Sequence, residues 1–102
     1  MKAIYEDKVR VFKAFCDEGR LAILEMLREG EKCACILLEK MNISQSTLSY
    51  HMKVLCDSGI VTSRQGGKWT YYRISDEGSS YAVEMLQALT ATHTTGQNTK
   101  CC

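Results

Sequence analysis

Apolar residues recur at helical spacing in five segments of the chain, which predicts five amphipathic helices. Residue types that start and stop helices flank these segments, among them Asp17, Gly30, Ser44 and Gly59. The predicted helices cover residues 4–16, 17–30 with Leu21, Leu24 and Leu27 on one face, about 33–40, 45–58, and residue 75 onward.

Two β-prone runs, residues 60–65 and 69–74, are separated by Gly66-Gly67-Lys68, which predicts a tight hairpin. Alternation along the second run directs Tyr72 and Ile74 to the core. A short helix, a turn, a second helix and a hairpin follow one another, as in DNA-binding domains of the helix-turn-helix type with a wing. The predicted fold is mainly α: a winged helix-turn-helix of about five helices plus a two-stranded wing.

The chain length suits one domain, over residues 1–92, and residues 93–102 form a polar tail that ends in Cys101 and Cys102. A domain of 102 residues buries only roughly two thirds of its unfolded surface. Association with a second copy of the chain would bury more of that surface. The apolar stripe of the last helix favours a homodimer formed through the terminal helices, and its members are Ala82, Met85, Leu86 and Leu89.

The formal net charge of +1 excludes a broadly basic surface, so any DNA contact must come from local groups. Short polar side chains on the outer face of the fourth helix suit base edges and phosphates, and wing cations, including Arg73, suit phosphates. An ordinary solvated face is the alternative, but the order of elements favours DNA. His51 is interpreted as structural. The predicted DNA-binding residues are Gln45, Ser46, Ser49, Tyr50, Lys53, Arg64 and Lys68.

No apolar stretch approaches the ~20 residues that span a bilayer, and the N-terminus lacks the apolar core of a signal peptide. We therefore expect a cytoplasmic protein that binds no membrane. In that compartment the six cysteines are expected to be reduced thiols rather than a disulfide framework.

Cys33 and Cys35 lie near the start of the third helix, where the helix dipole favours the thiolate. Without His or Asp partners nearby they suit thiophilic ions such as arsenite or antimonite better than zinc. Residues i and i+2 of a helix point about 200° apart, so binding one ion would unwind the first turn and shift the fourth helix. The alternative interpretation is a pair of small buried apolar residues.

Taken together, these residues resemble the ArsR type of metal-responsive winged-helix repressors, in particular its arsenite-sensing branch. The resemblance implies a homodimer that binds operator DNA, represses its own resistance operon, needs no cofactor and leaves the DNA when As(III) or Sb(III) binds. It also implies that Cys16 and Cys56 are packing residues. The segments that carry it are Phe12 to Asp17 with Arg20-Leu21, Cys33-Ala34-Cys35, Ser44 to Leu55, and Gly66, Lys68 and Trp69 with Tyr72-Arg73.

The resemblance is incomplete, because Leu38 occupies the position where this branch often has a third cysteine. A third thiolate would then come from Cys101 or Cys102, or two thiolates suffice and the tail thiols are incidental. A thiol-redox-responsive repressor is an alternative function. An enzyme such as a thiol-dependent reductase is not expected, because no cysteine stands beside a convincing base and no nucleotide-binding loop occurs.

Overall fold

The computed structural model describes residues 2–93, which form five helices and a three-stranded sheet. The helices agree closely with the predicted segments, apart from shifts at their ends. The elements in chain order are α1 (Lys2–Phe15), α2 (Glu18–Leu27), β1 (Lys32–Cys33), α3 (Ala34–Met41), α4 (Gln45–Asp57), β2 (Val61–Gly66), β3 (Trp69–Ile74) and α5 (Asp76–Thr90).

Side-chain caps fix where the helices begin. Asp17 Oδ2 accepts hydrogen bonds from the backbone N–H groups of Gly19 and Arg20, and Ser44 Oγ accepts one from the N–H of Thr47. These bonds satisfy donors that would otherwise have no partner in the first helical turn. Both predicted caps are therefore confirmed.

The sheet has the order β1-β3-β2, and both pairings are antiparallel. The hairpin of β2 and β3 is the predicted wing, and Gly67 at its tip adopts a left-handed φ of 65° that favours glycine. Tyr72 and Ile74 pack against the core, as predicted. The short strand β1 was not predicted, because two residues are too few to show an alternating pattern.

The core lies between α1, α2, α3 and α4, and residues of β2 and α5 contribute to it. Leu21 is 48% exposed, although it continues the three-residue spacing of Leu24 and Leu27. A three-residue repeat drifts around a helix of about 3.6 residues per turn, so its first member leaves the buried face. The buried apolar residues are Val11, Ala14, Ile23, Leu24, Leu27, Leu37, Leu48, Met52, Leu55, Ile60, Val61 and Met85.

The terminal helices α1 and α5 leave an apolar surface uncovered. Within the predicted stripe, Met85 is buried and Ala82 is half-buried, whereas Leu86 and Leu89 are exposed. Phe12 and Phe15 of α1 are also exposed. We call the groove between the two helices the terminal-helix groove, and its lining is Val11, Phe12, Phe15, Ala82, Val83, Met85 and Leu86.

None of the helices in residues 2–93 combines the length and the apolar character that crossing a membrane requires.

Candidate nucleic-acid interface and thiol site

The helix α4 is amphipathic, with one buried and one exposed face, as the sequence predicts. Leu48, Met52 and Leu55 are buried, and Tyr50 on the outer face is 60% exposed. The turn before α4 contains Asn42, whose φ of 55° is left-handed and ends α3. The predicted DNA-binding residues of α4 are all exposed, namely Gln45, Ser46, Ser49, Tyr50 and Lys53.

A groove between α3, α4 and the wing brings predicted site residues together. Gln45 and Ser49 of α4 line it together with Lys68 and Trp69 of the wing. Lys68 Nζ lies 5.8 Å from the centroid of the Trp69 ring, and that ring is itself partly exposed. Lys68 of the wing and the N-terminal end of α4 thus lie on the same side of the domain.

The Arg64 side chain is held by two other residues of the chain. Its Nε and one terminal nitrogen donate to the two carboxylate oxygens of Glu31, each at 2.8 Å, and its guanidinium lies 4.6 Å from the centroid of the Tyr71 ring. The hydrogen bonds from Arg64 hold the pKa of Glu31 below its ordinary value. Arg64 is therefore charge-compensated within this chain, which its place in a predicted hairpin did not reveal.

His51, a residue of α4, takes part in a hydrogen-bond network with Arg20 and Asp17, in agreement with its structural interpretation. One terminal nitrogen of Arg20 donates to His51 Nδ1 at 3.0 Å, and His51 Nε2 lies 3.7 Å from Asp17 Oδ2. Because a guanidinium can only donate, Nδ1 accepts and the ring proton belongs on Nε2, facing the carboxylate. The network connects the start of α2 to α4.

Arg20 is noted in the sequence only as part of the segments that carry the resemblance, and no role is predicted for it. It is 8% exposed, its Nε donates to the carbonyl oxygen of Lys13 at 3.0 Å, and its guanidinium lies 5.9 Å from the centroid of the Tyr50 ring. Desolvation by burial raises the pKa of Asp17. The hydrogen bonds from the backbone N–H groups of Arg20 and Gly19, together with the charges of His51 and Arg20, lower it by more, so the pKa lies below its ordinary value. Arg20 thereby positions the helix that carries Tyr50.

The two cysteines of the predicted ion site lie together at the start of α3. Cys33 precedes the helix, with extended φ and ψ angles of −71° and 144°, and its Sγ accepts a hydrogen bond from the N–H of Cys35 at 3.2 Å. The two residues form a disulfide, with their Cα atoms 5.2 Å apart, whereas the sequence predicts reduced thiols here. Cys33 is 8% exposed and Cys35 is half-buried.

This geometry corrects the expectation that the two cysteines point about 200° apart. That estimate requires both residues to be helical, whereas Cys33 belongs to β1 and caps α3. The sulfurs are already adjacent, so the first turn of α3 does not have to unwind to bring them together. Cys33 also pairs with Tyr71 of β3, and Ala34 lines the groove below the wing. The cysteine pair thus contacts the wing as well as the helix before α4.

The other cysteines lie apart from this pair or outside the described residues. Cys16 is exposed, so its interpretation as a packing residue is wrong, whereas Cys56 is half-buried against the core. Burial is the main cause that raises the pKa of the Cys56 thiol. Cys101 and Cys102 lie outside residues 2–93. Within that range no three His, Cys, Asp or Glu side chains cluster as metal ligands.

These elements define a winged helix-turn-helix protein of the DNA-binding type. Residues 17–63 match the family model described as bacterial regulatory protein, arsR family. The chain is 43% identical over 74 residues to an arsenical resistance operon repressor of Bacillus subtilis, which covers 72% of this chain and 68% of the relative. It is 37% identical over 97 residues to a protein of the same name from Staphylococcus aureus, covering 95% of this chain and 90% of the relative.

A solved structure has the same architecture. A protein from Mycobacterium bovis, described as a homodimeric winged helix-turn-helix DNA-binding domain, aligns with a TM-score of 0.70 at 26% identity, covering 98% of this chain and 93% of that chain. The chain belongs to the arsR family of bacterial regulatory proteins. It is a transcriptional regulator and not an enzyme.

Proposed function

We propose that the chain is a repressor that binds operator DNA as a homodimer and leaves it when As(III) or Sb(III) binds Cys33 and Cys35. The observation that carries this proposal is the adjacency of the two sulfurs beside both α3 and the wing. The names of the relatives from Bacillus subtilis and Staphylococcus aureus support arsenic as the inducer. Such a repressor acts in the cytoplasm, where operator DNA lies, and requires no cofactor.

In the proposed complex α4 enters the major groove, which accommodates an α-helix. Gln45, Ser46 and Ser49 lie at its N-terminal end, which in this motif contacts base edges. Tyr50 and Lys53 follow on the exposed face, and Lys68 on the wing contacts phosphate. Lys53 Nζ lies 3.1 Å from Asp57 Oδ2, an exposed pair that is weak enough to exchange for phosphate.

The terminal-helix groove supports the homodimer. Phe12, Phe15, Val83, Leu86 and Leu89 are exposed apolar residues on the two terminal helices, and exposed apolar patches can mark contact surfaces between proteins. The homodimeric state of the protein from Mycobacterium bovis supports a dimer, and the terminal-helix groove is the surface that we assign to it. A two-fold dimer presents two copies of α4 to half-sites about 34 Å apart, one turn of DNA.

Inducer binding requires the two thiols in their reduced form. Arsenous acid and two thiols form two As–S bonds, and two of the arsenic hydroxyl groups leave as water with the thiol protons. The soft thiolate ligands account for the preference for such ions over hard cations. The bound ion then fixes the separation of the two sulfurs, which constrains the residues that carry them.

Coupling to DNA follows from the position of Cys33. It caps α3, which packs under α4, and its backbone pairs with Tyr71 in the wing strand β3. An ion that holds Cys33 and Cys35 at a new separation changes both the end of α3 and the edge of the sheet. DNA binding and ion binding therefore oppose each other, and each weakens the other by the same factor.

Titration of a fluorescent operator duplex tests this function. The duplex is selected from a random-sequence pool with protein kept reduced by a phosphine, which does not compete for arsenite as dithiols do. Arsenite should weaken DNA binding by about 5- to 150-fold, the usual range of coupling between two sites. Equal affinity with and without arsenite contradicts the proposal.

The disulfide between Cys33 and Cys35 favours a second candidate, a repressor that responds to thiol oxidation. In that reaction hydrogen peroxide takes two electrons and two protons from the two thiols, which yields the disulfide and two molecules of water. The same titration separates the candidates once the phosphine is removed. Release by peroxide without release of the reduced protein by arsenite would support the redox repressor and reject the arsenite repressor.

Arsenic has room for a third ligand, and we include Cys101 or Cys102 in the proposal as its source. Cys33 and Cys35 are the adjacent sulfurs among the described residues, and the tail cysteines lie outside that range. X-ray absorption should count about three sulfur neighbours around arsenic in the unaltered protein, and about two in the double variant Cys101→Ser, Cys102→Ser, because soft ions prefer thiolate ligands. The same count in both proteins contradicts recruitment of the tail.

A further inference from the structure

Glu31 and Arg64 form the bidentate ion pair between the loop before β1 and the wing strand β2. The guanidinium also lies over the Tyr71 ring, which orients it from the other side. Glu31 precedes Cys33 by two residues, and Arg64 is opposite Tyr71 in the hairpin. The loop before β1 and the strands β2 and β3 therefore build this arrangement together.

The geometry of this pair resembles that of phosphate recognition. A guanidinium presents two parallel N–H groups to a carboxylate in the same forked arrangement that it uses for a phosphate of DNA. While Glu31 holds both groups, the charge of Arg64 is cancelled locally. The wing then offers DNA less positive charge than its sequence contains.

We propose that Glu31 sets the affinity of this protein for DNA by competing with phosphate for Arg64. The proposal rests on the proposed function, because it requires that the wing contacts DNA. In the free protein both Arg64 hydrogen bonds go to Glu31. In the complex a DNA phosphate can accept these hydrogen bonds only if Glu31 gives them up. Glu31 is thus an affinity-determining residue that need not touch DNA itself.

The test compares Glu31→Gln with Glu29→Gln in reduced protein. Glu29 pairs with Lys32 at 3.2 Å, so its replacement removes the same charge two residues away without touching Arg64. Glu31→Gln should bind the selected duplex about three- to fivefold more tightly than Glu29→Gln at low salt, the scale of an exposed ion pair. Its plot of log K against log salt should be steeper by about 0.9, which corresponds to one further phosphate contact.

The same comparison in an Arg64→Gln background shows whether the gain acts through Arg64. With Arg64 absent, Glu31→Gln and Glu29→Gln should bind alike and with equal salt slopes. Circular dichroism and thermal melting check that each variant is folded. The proposal is overturned if Glu31→Gln gains no more than Glu29→Gln, if its salt slope is unchanged, or if the gain persists without Arg64.

Failure of this inference and failure of the proposed function give different results. If the unaltered protein binds the selected duplex and arsenite releases it, but Glu31→Gln shows no gain that depends on Arg64, only the role of Glu31 is rejected. If the unaltered protein binds no duplex selected from the pool, both proposals are rejected.

Discussion

Replacing Cys33 and Cys35 together by serine is expected to abolish release of DNA by arsenite while leaving operator binding close to that of the unaltered protein. Serine cannot form the As–S bonds that the proposed response requires. The fold should persist, because Cys33 occupies the cap position of α3, and serine is a preferred residue there. The arsenite effect on DNA affinity should fall from about 5- to 150-fold to less than about twofold.

The matched control is the double variant Cys16→Ser, Cys56→Ser, which removes the same number of thiols elsewhere in the chain. Cys16 is an exposed free thiol and Cys56 is a half-buried free thiol whose pKa is raised by burial, so neither is part of the paired sulfurs that the proposed site requires. This control should keep the full arsenite response in the fluorescence titration. Undiminished release from the Cys33→Ser, Cys35→Ser variant would reject the ion site.

Local signals account for the parts of the fold that the sequence predicts correctly. Asp17 and Ser44 each satisfy backbone donors within three residues of themselves, and Gly67 supplies a φ that favours glycine. Each of these effects acts over a few residues, so it is visible in a short stretch of sequence. The spacing of Leu48, Met52 and Leu55 likewise predicts the buried face of α4.

Contacts between distant parts of the chain could not be predicted in this way. Arg20 bonds to His51 across 31 positions, and Arg64 bonds to Glu31 across 33 positions. No periodic pattern marks such partners. The sequence therefore identified Arg64 as a wing cation but not its neutralisation by Glu31, and it did not predict the contacts of Arg20 with His51 and Lys13.

The cysteine site shows how one such contact changes a mechanism. The motif Cys33-Ala34-Cys35 is visible in the sequence, but the assumption that both cysteines are helical is not correct. Pairing between Cys33 and Tyr71 draws Cys33 into the sheet, and this places the sulfurs side by side. In the proposed mechanism, an inducer therefore acts on the wing as well as on α4, rather than on α4 alone.

The substitution Leu86→Glu in the proposed dimer interface is expected to disrupt the dimer and to weaken DNA binding strongly. Leu86 is 51% exposed and lines the terminal-helix groove, so a carboxylate there would be buried without a partner in a dimer. The variant should sediment as a monomer. Its affinity for the selected duplex should fall by about a hundredfold or more, because two linked copies of α4 bind DNA with a much higher affinity than one copy alone.

The control for this variant is Leu21→Glu, the same substitution at a leucine that is 48% exposed and does not line the groove. Leu21→Glu should remain a dimer with near-normal DNA binding, which separates the loss of the interface from the general effect of added negative charge. Sedimentation velocity and the DNA titration measure both properties on the same samples. If Leu86→Glu remains dimeric and binds DNA as tightly as Leu21→Glu, the two copies do not meet through this groove.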